Sequence, residues 1–436
     1  MARLRAIWNG INASYWFLPG LFALLAFALA VFTVWLDRSG QTVWLGQQIG
    51  VEVARPEGAR SILTVIAGAM IGVASTVFSI TIAAVAYASG SYGPRLLTNF
   101  MEDRGNQLSL ATFIGTFVYS VVVLRTIRDA EEVGVGGGGG DALPGFVPQL
   151  SLLLAYALTA IAVAVLVYFL NHVPASIRVN TVLESIGTRL IRDIRQVFAH
   201  KGGKAALSEE PEGVPVSTDT VGYIQIIDHD RLARIAARHG ARIGLAVRTG
   251  DFVHPPTALV IWDAAGEPPH REIRRCFALG GMRTPAQDLH FLIDELVEIG
   301  LRALSPGIND PFTAITALHW LGAATAELGQ RDLVRGVGSA APSDADRVAV
   351  LDDEFAHYVE RGFGTMRPYV ATSPSVVLVM FEVLATATST IDDSERRQAL
   401  AHEGDMLMRQ TRLELDGPSL EAAETRYRTF RQRMAG

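Results

Sequence analysis

Apolar positions dominate the first 175 residues in four long, nearly charge-free stretches, and beyond them they recur at helical or strand spacing. The four stretches cover 15–36, about 62–88, 108–124 and about 147–170. Each is long enough for a helix to cross a hydrocarbon core of about 30 Å. The first carries Tyr15, Trp16 and Trp35 at its ends, where aromatic side chains settle at the membrane–water interface. It is too long for a signal peptide and has no small-residue cleavage site. The second has no charge from Ser61 to Pro94. Its 27 residues would reach about 40 Å, so that helix must tilt or project.

Basic residues near the ends of the spans predict the orientation. With the N-terminus inside, Arg3, Arg5, Arg95, Arg104, Arg178, Arg189, Arg192 and Arg195 are inner, and Arg38, Arg55, Arg60, Arg125 and Arg128 are outer. Eight against five places both termini in the cytoplasm. The second outer loop is acidic and carries the run Gly136 to Gly140, a tether without packing information. No span has an ionisable residue in its centre, which counts against a proton- or ion-coupled transporter. The second span instead lines Gly68, Gly72, Ser75, Thr76 and Ser79 along one face. That stripe has two compatible readings: close helix packing through small residues, or a hydroxyl-lined path for water or ions in a homo-oligomer.

Residues 1–175 thus form a four-helix transmembrane domain. Residues 176–200 form a basic amphipathic connecting helix, with Leu183, Ile186, Leu190, Ile194 and Val197 on one stripe and Arg189, Arg192 and Arg195 on another. It could lie on an anionic membrane surface, pack on its symmetry mates or pack on the domain that follows. Residues 201–218 have linker composition. Residues 219–265 alternate as strands around a short helix closed by Gly240, a small α/β module. Residues 266–436 read as mainly helical and cytoplasmic, with one strand-like run at 348–351. Thr284, Pro285 and Gln287 mark a helix start there, and Asp310 with Pro311 marks another. The fold class is therefore a membrane all-α bundle followed by an α+β domain, mostly helical with a small β-module.

Composition narrows the chemistry further. The net charge of −6 and the lack of a basic face argue against nucleic-acid binding. A single cysteine, Cys276, excludes a disulfide framework. No phosphate loop, nucleophile elbow or H-E-x-x-H pattern occurs, so no catalytic residue and no cofactor is assigned. The loop with Ser305, Gly307, Asn309 and Asp310 precedes a helix N-terminus, a ready anion site. Asp310 as N-cap would satisfy those N–H groups itself, which is the simpler reading. Asp288, His290, Asp294, Glu298 and Asp310 could offer oxygen and nitrogen ligands, with Asp294 and Glu298 one turn apart on one face. Solvated carboxylates explain that face more simply. Asp228, His229 and Asp230 suggest metal or base chemistry, yet their place between strand and helix favours a cap.

The string RALSPGINDPFTA at 302–314 resembles a bacterial family of predicted membrane proteins known only as domain of unknown function 2254. The helix with Asp294, Glu295 and Glu298, the stretch VFSIT at 77–81 and Gly93, Pro94 and Arg95 support the resemblance, which covers nearly the whole chain. It implies a multi-pass protein of the bacterial inner membrane and brings no established activity. Three functions stay open: a channel-like or transport-related homo-oligomer, a membrane-anchored sensor or scaffold, and, least favoured, a membrane-tethered enzyme. The lipid bilayer and further copies of the chain are the expected partners.

Overall fold

The computed structural model describes residues 14–39, 55–93, 103–128, 146–198, 212–333, 347–351 and 354–435. Arg95, the glycine run 136–140 and most of the 201–218 linker lie outside them. The chain divides into two compact units, with the boundary between Arg178 and Val179.

The first unit contains four helices long and apolar enough to cross a membrane: α1 Phe17–Arg38, α2 Pro56–Tyr92, α3 Arg104–Leu124 and α4 Gln149–Ser176. Its core runs through Ala30, Leu63, Met70, Phe113, Tyr119, Val123, Ala155 and Phe169. α3 is the most enclosed of the four. Buried hydroxyls there bond inside the bundle: Tyr119 meets Thr33 at 3.0 Å and donates to the Ser151 carbonyl at 3.1 Å.

The ionisable residues of this unit act at helix ends. Asp37 accepts from the N–H groups of Leu150 and Ser151, both at 3.0 Å, and from Ser151 Oγ at 2.8 Å. A carboxylate from α1 thereby satisfies the free N–H groups at the start of α4. At the start of α3, Asp103 accepts from Gly105 N at 2.8 Å and also meets His172 Nε2 at 2.8 Å. α2 is longer at both ends than its apolar pattern indicates. Pro56 opens it, and helical backbone continues through Tyr92.

The second unit starts with α5 Val179–Val197. Its apolar stripe, Val182, Leu183, Ile186, Leu190 and Ile194, is buried, so among the three placements weighed from sequence this helix packs on its own domain. Two small sheets follow, built from β1 Val214–Ser217, β2 Gly222–Ile227, β3 Arg242–Leu245, β4 Phe252–Val253, β5 Ala258–Asp263, β6 Phe277–Gly280 and β7 Val348–Ala349. One has strand order β1-β5-β3-β7 and the other β4-β2-β6. Helices α6 His229–His239 and α7 His270–Arg274 accompany them. The shared core centres on Trp262, Phe277, Ile243, Val260 and Leu232. Two strands escape the sequence pattern: β1 lies in the stretch with linker composition, and β6 lies where helix was expected. Both are four residues long, too short to show a period of their own.

The remainder is a helical bundle: α8 Leu289–Ala303, α9 Pro311–Gly329, α10 Phe355–Val359, a π turn at Glu360–Gly364, α11 Thr365–Val370, α12 Pro374–Thr388, α13 Ser394–Glu414 and α14 Gly417–Ala435. The start of α8 differs from the sequence expectation. Thr284 does not cap it; Asp288 does, accepting from Phe291 N at 3.0 Å. Gln287 sits at φ 60°, which breaks the helix before Asp288. Its side-chain oxygen instead accepts from Ile227 N of β2 at 3.1 Å. The need to satisfy a strand N–H beside a bulge outweighs the local start signal.

Small residues set the helix spacing. A Cβ on Gly187 of α5 would strike the Trp320 ring of α9, and one on Gly322 of α9 would strike Val383 of α12. Gly404 of α13 lies in the same way against Phe430 of α14.

Candidate functional site

In the membrane unit, Gly68, Gly72, Ser75, Thr76 and Ser79 all face outward from the single chain. A side chain at Gly68 or Gly72 would meet nothing within 4 Å among the described residues. The opposite face, with Leu63, Ile66, Met70, Ala74 and Val77, is the buried one. The small residues therefore do not bring α2 against another described helix of its own chain. Thr76 Oγ1 donates to the Gly72 carbonyl at 3.0 Å and Ser79 Oγ to the Ser75 carbonyl at 2.9 Å. Satisfied within the helix, these donors can face an apolar surrounding at little cost, and the oxygens stay open to accept a bond.

The second unit holds a different chemistry, an ionic cluster drawn from three segments: the loop before α8, α8 itself and the π turn. Asp294 on α8 receives Arg361 through Nε at 2.7 Å and Nη2 at 2.8 Å, and Arg283 Nη1 at 2.6 Å. Arg283 also grips Asp288 Oδ2 through Nη2 at 2.8 Å. Burial alone would raise the Asp294 carboxyl, but Arg361 and then Arg283 outweigh it and hold it below the usual carboxylate range. Gly250 in the β3–β4 turn packs so closely on Asp288 that a Cβ there would collide with its carboxylate. Thr249 Oγ1 donates to the Gln287 carbonyl at 2.6 Å, tying the sheets to the bundle.

Arg361 belongs to the π turn, where one extra residue per turn redirects the side chains that follow. Further on, Arg367 Nη1 meets Glu403 Oε2 of α13 at 2.6 Å. Glu403 is 2% exposed, and its other carboxyl oxygen has no hydrogen-bond partner among the described residues. Burial pushes its carboxyl up to about 7, against the opposing pull of Arg367. Cross-chain pairing of this kind leaves no local signature. Arg367 and Glu403 are 36 residues apart, and Arg361 and Asp294 are 67 apart.

Both Asp294 oxygens accept arginine N–H groups, so Asp294 and Glu298 do not present two open carboxylates to a cation. Asp310 accepts from Thr313 N at 3.2 Å and from Thr313 Oγ1 at 2.6 Å. Its carboxylate occupies the place an anion would take at the α9 N-terminus. Ser305, Gly307 and Asn309 form the preceding turn, in which the Asn309 N–H bonds the Ser305 carbonyl at 2.9 Å and Asn309 has φ 49°. Asp228 caps α6 through Arg231 N at 3.2 Å. His290 lies beside His357 and Tyr358, each ring centroid 5.2 Å away. A separate cleft of about 370 Å³ is lined by Leu333, Glu354, Phe355, Asp393, Glu395 and Arg396.

Residues 12–386 match the family described as "Predicted membrane protein (DUF2254)". An uncharacterized protein of Mycobacterium bovis is 31% identical over 365 residues, a match covering 79% of this chain and 66% of the relative. An uncharacterized protein of Mycobacterium tuberculosis matches to the same extent. The match thus spans just under two thirds of the length of these relatives. No solved structure matches the chain. Because the family model covers most of its residues, this chain belongs to the DUF2254 family of predicted membrane proteins.

Proposed function

We propose that the protein is a channel-like or transport-related homo-oligomer of the bacterial inner membrane, with a C-terminal unit that regulates it from the cytoplasm. One observation carries the reading. The stripe Gly68, Gly72, Ser75, Thr76 and Ser79 is exposed on the single chain, and a side chain at Gly68 or Gly72 would meet nothing within 4 Å among the described residues. When copies gather with α2 towards a common axis, those hydroxyl and carbonyl oxygens line a path that replaces part of an ion's or water's hydration. Spans without central ionisable residues suit passive passage better than ion-coupled exchange. The excess of basic residues on the inner side supports the orientation.

The test is flux into liposomes holding the full-length protein, wild-type beside Ser79→Leu, with the subunit count measured for both. Wild-type flux that Ser79→Leu reduces while assembly stays intact supports a path. Loss of assembly in the variant assigns the stripe to packing alone. Absence of wild-type flux across several ions and voltages overturns the proposal.

The cleft beside Phe355 and Arg396 favours a second reading, a membrane-anchored sensor whose C-terminal unit binds a small ligand. A ligand screen by thermal shift on wild-type and Arg396→Ala protein separates the two. Under the sensor reading a ligand stabilises wild-type protein, Arg396→Ala abolishes that shift, and no flux accompanies it.

A further inference from the structure

In the helical part of the second unit, the large apolar side chains exposed among the described residues are Val197, at 37% and at the far end of α5, and Ile308, Phe312, Tyr369 and Leu413, at 45%, 77%, 49% and 85%. The last four come from four separate segments, and the packing brings them to one end of the bundle. α5 and α9 run parallel, since Gly187 meets Trp320 and Arg195 pairs with Glu327 at 2.8 Å. Eight residues back along both helices, Val179 is level with Phe312. α8 runs the other way and hands over to α9 through the loop that holds Ile308.

The π turn and α11 descend towards the same end, because Gly362 packs on Leu321 and then Met366 on Gly300 and its neighbour Ala317. Tyr369 follows one turn later. α13 begins against the last carbonyls of α9, which Arg396 binds at Leu328, Gly329 and Arg331. From Arg396 to Leu413 it runs back about 26 Å, the same length that separates Gly329 from Phe312 along α9.

That end is where the second unit begins in the sequence. α5 starts at Val179, three residues after Ser176 closes α4. The apolar part of α4 ends near Leu170, and the residues from there to Val179 span at most about 20 Å. A rim of exposed Phe, Ile, Leu and Tyr at that level matches the chemistry of the lipid interface, which accepts apolar bodies and aromatic rings.

We propose that Ile308, Phe312, Tyr369 and Leu413 form a lipid-contacting rim, with which the second unit rests on the bilayer surface. Leu413 is flanked by exposed Arg412 and exposed Glu414, charges of opposite sign, so the contact is apolar and does not depend on anionic lipid. It holds whether or not α2 lines a path.

The test uses full-length protein in phosphatidylcholine vesicles, spin-labelled at Phe312→Cys, at Leu413→Cys or at Gln330→Cys. Gln330 is exposed at the opposite end of α9 and serves as reference. Cys276, the one native cysteine, is fully buried, with its thiol pushed up to about 12 by burial, so labelling is confined to the introduced sites. Relaxation by oxygen, which concentrates in lipid, is compared with relaxation by a water-soluble nickel chelate. The expected result is an oxygen-to-nickel ratio at Phe312→Cys and Leu413→Cys several-fold above that at Gln330→Cys. Equal ratios at all three sites overturn the proposal. So does shielding of the rim labels from both reagents, which would mean that protein covers the rim.

Discussion

The two units handle polar groups in opposite ways. In the membrane unit the interior bonds are neutral, among Thr33, Tyr119 and Ser151, and the carboxylates of Asp37 and Asp103 sit at helix ends against free N–H groups. In the C-terminal unit charges lie inside, in the chain Asp288–Arg283–Asp294–Arg361 and in the pair Arg367–Glu403. A lone charge near hydrocarbon has no water to fall back on, whereas the second unit surrounds its carboxylates with arginines from distant segments. Its internal ions bind separate elements to each other. The carboxylates of the membrane unit also join helices, Asp37 of α1 to the start of α4 and Asp103 at the start of α3 to His172 of α4, but they do so at helix ends.

The sharpest way to break this contrast is Asp294→Ala, which strips Arg283 and Arg361 of a shared partner in a half-buried site. Loss of about 3 kcal/mol is expected. It should appear as a lower midpoint when the C-terminal unit of the full-length protein is unfolded with urea. An unchanged midpoint would mean that the arginines find water readily and the cluster is not interior in the energetic sense.

Glu403 sharpens the same side of the comparison through pH. Its carboxyl is raised in the folded state from 4.5 to about 7. Its contribution is therefore fully present below about pH 4.5 and is lost as pH rises towards 7. The wild-type protein should show a falling stability across that window, on the order of 2–3 kcal/mol. Glu403→Gln should flatten it. Parallel curves for the two proteins would remove Glu403 as the cause.

On the membrane side, Asp37→Ala removes an acceptor of three bonds at the start of α4. The expected cost is about 2 kcal/mol, the upper range for a lost cap. Thermal denaturation in detergent measures it. Asp310→Ala is the aqueous counterpart, with one backbone bond and one Thr313 hydroxyl bond at stake, and about 1 kcal/mol is expected. If Asp310→Ala cost more than Asp37→Ala, end-on carboxylates would not gain from the membrane setting.

Caps of this kind were legible in part. Asp310 before Pro311 and Asp228 before His229 are local signals, and both residues cap their helices. Asp37 caps a helix more than a hundred residues downstream, and no neighbouring residue announces it. The stripe Gly68 to Ser79 was legible as a face, because helical spacing alone puts those residues together. Which way that face points was not legible, since a row of small residues suits an interior and an exterior equally well.

The sequence by itself determined four membrane-length apolar helices, a mostly helical C-terminal part with short strands, and the family. Each follows from composition or from a period repeated over many residues, and such signals act locally. The tertiary structure alone decided that the stripe on α2 turns outward and that α5 belongs to the C-terminal unit. It also decided that Asp288 displaces Thr284 as a cap, that arginines claim both oxygens of Asp294, and that four exposed apolar side chains share one end of the bundle. Those outcomes depend on which segments meet across tens or hundreds of residues, and burial and hydrogen bonding settle them only once the chain has closed on itself.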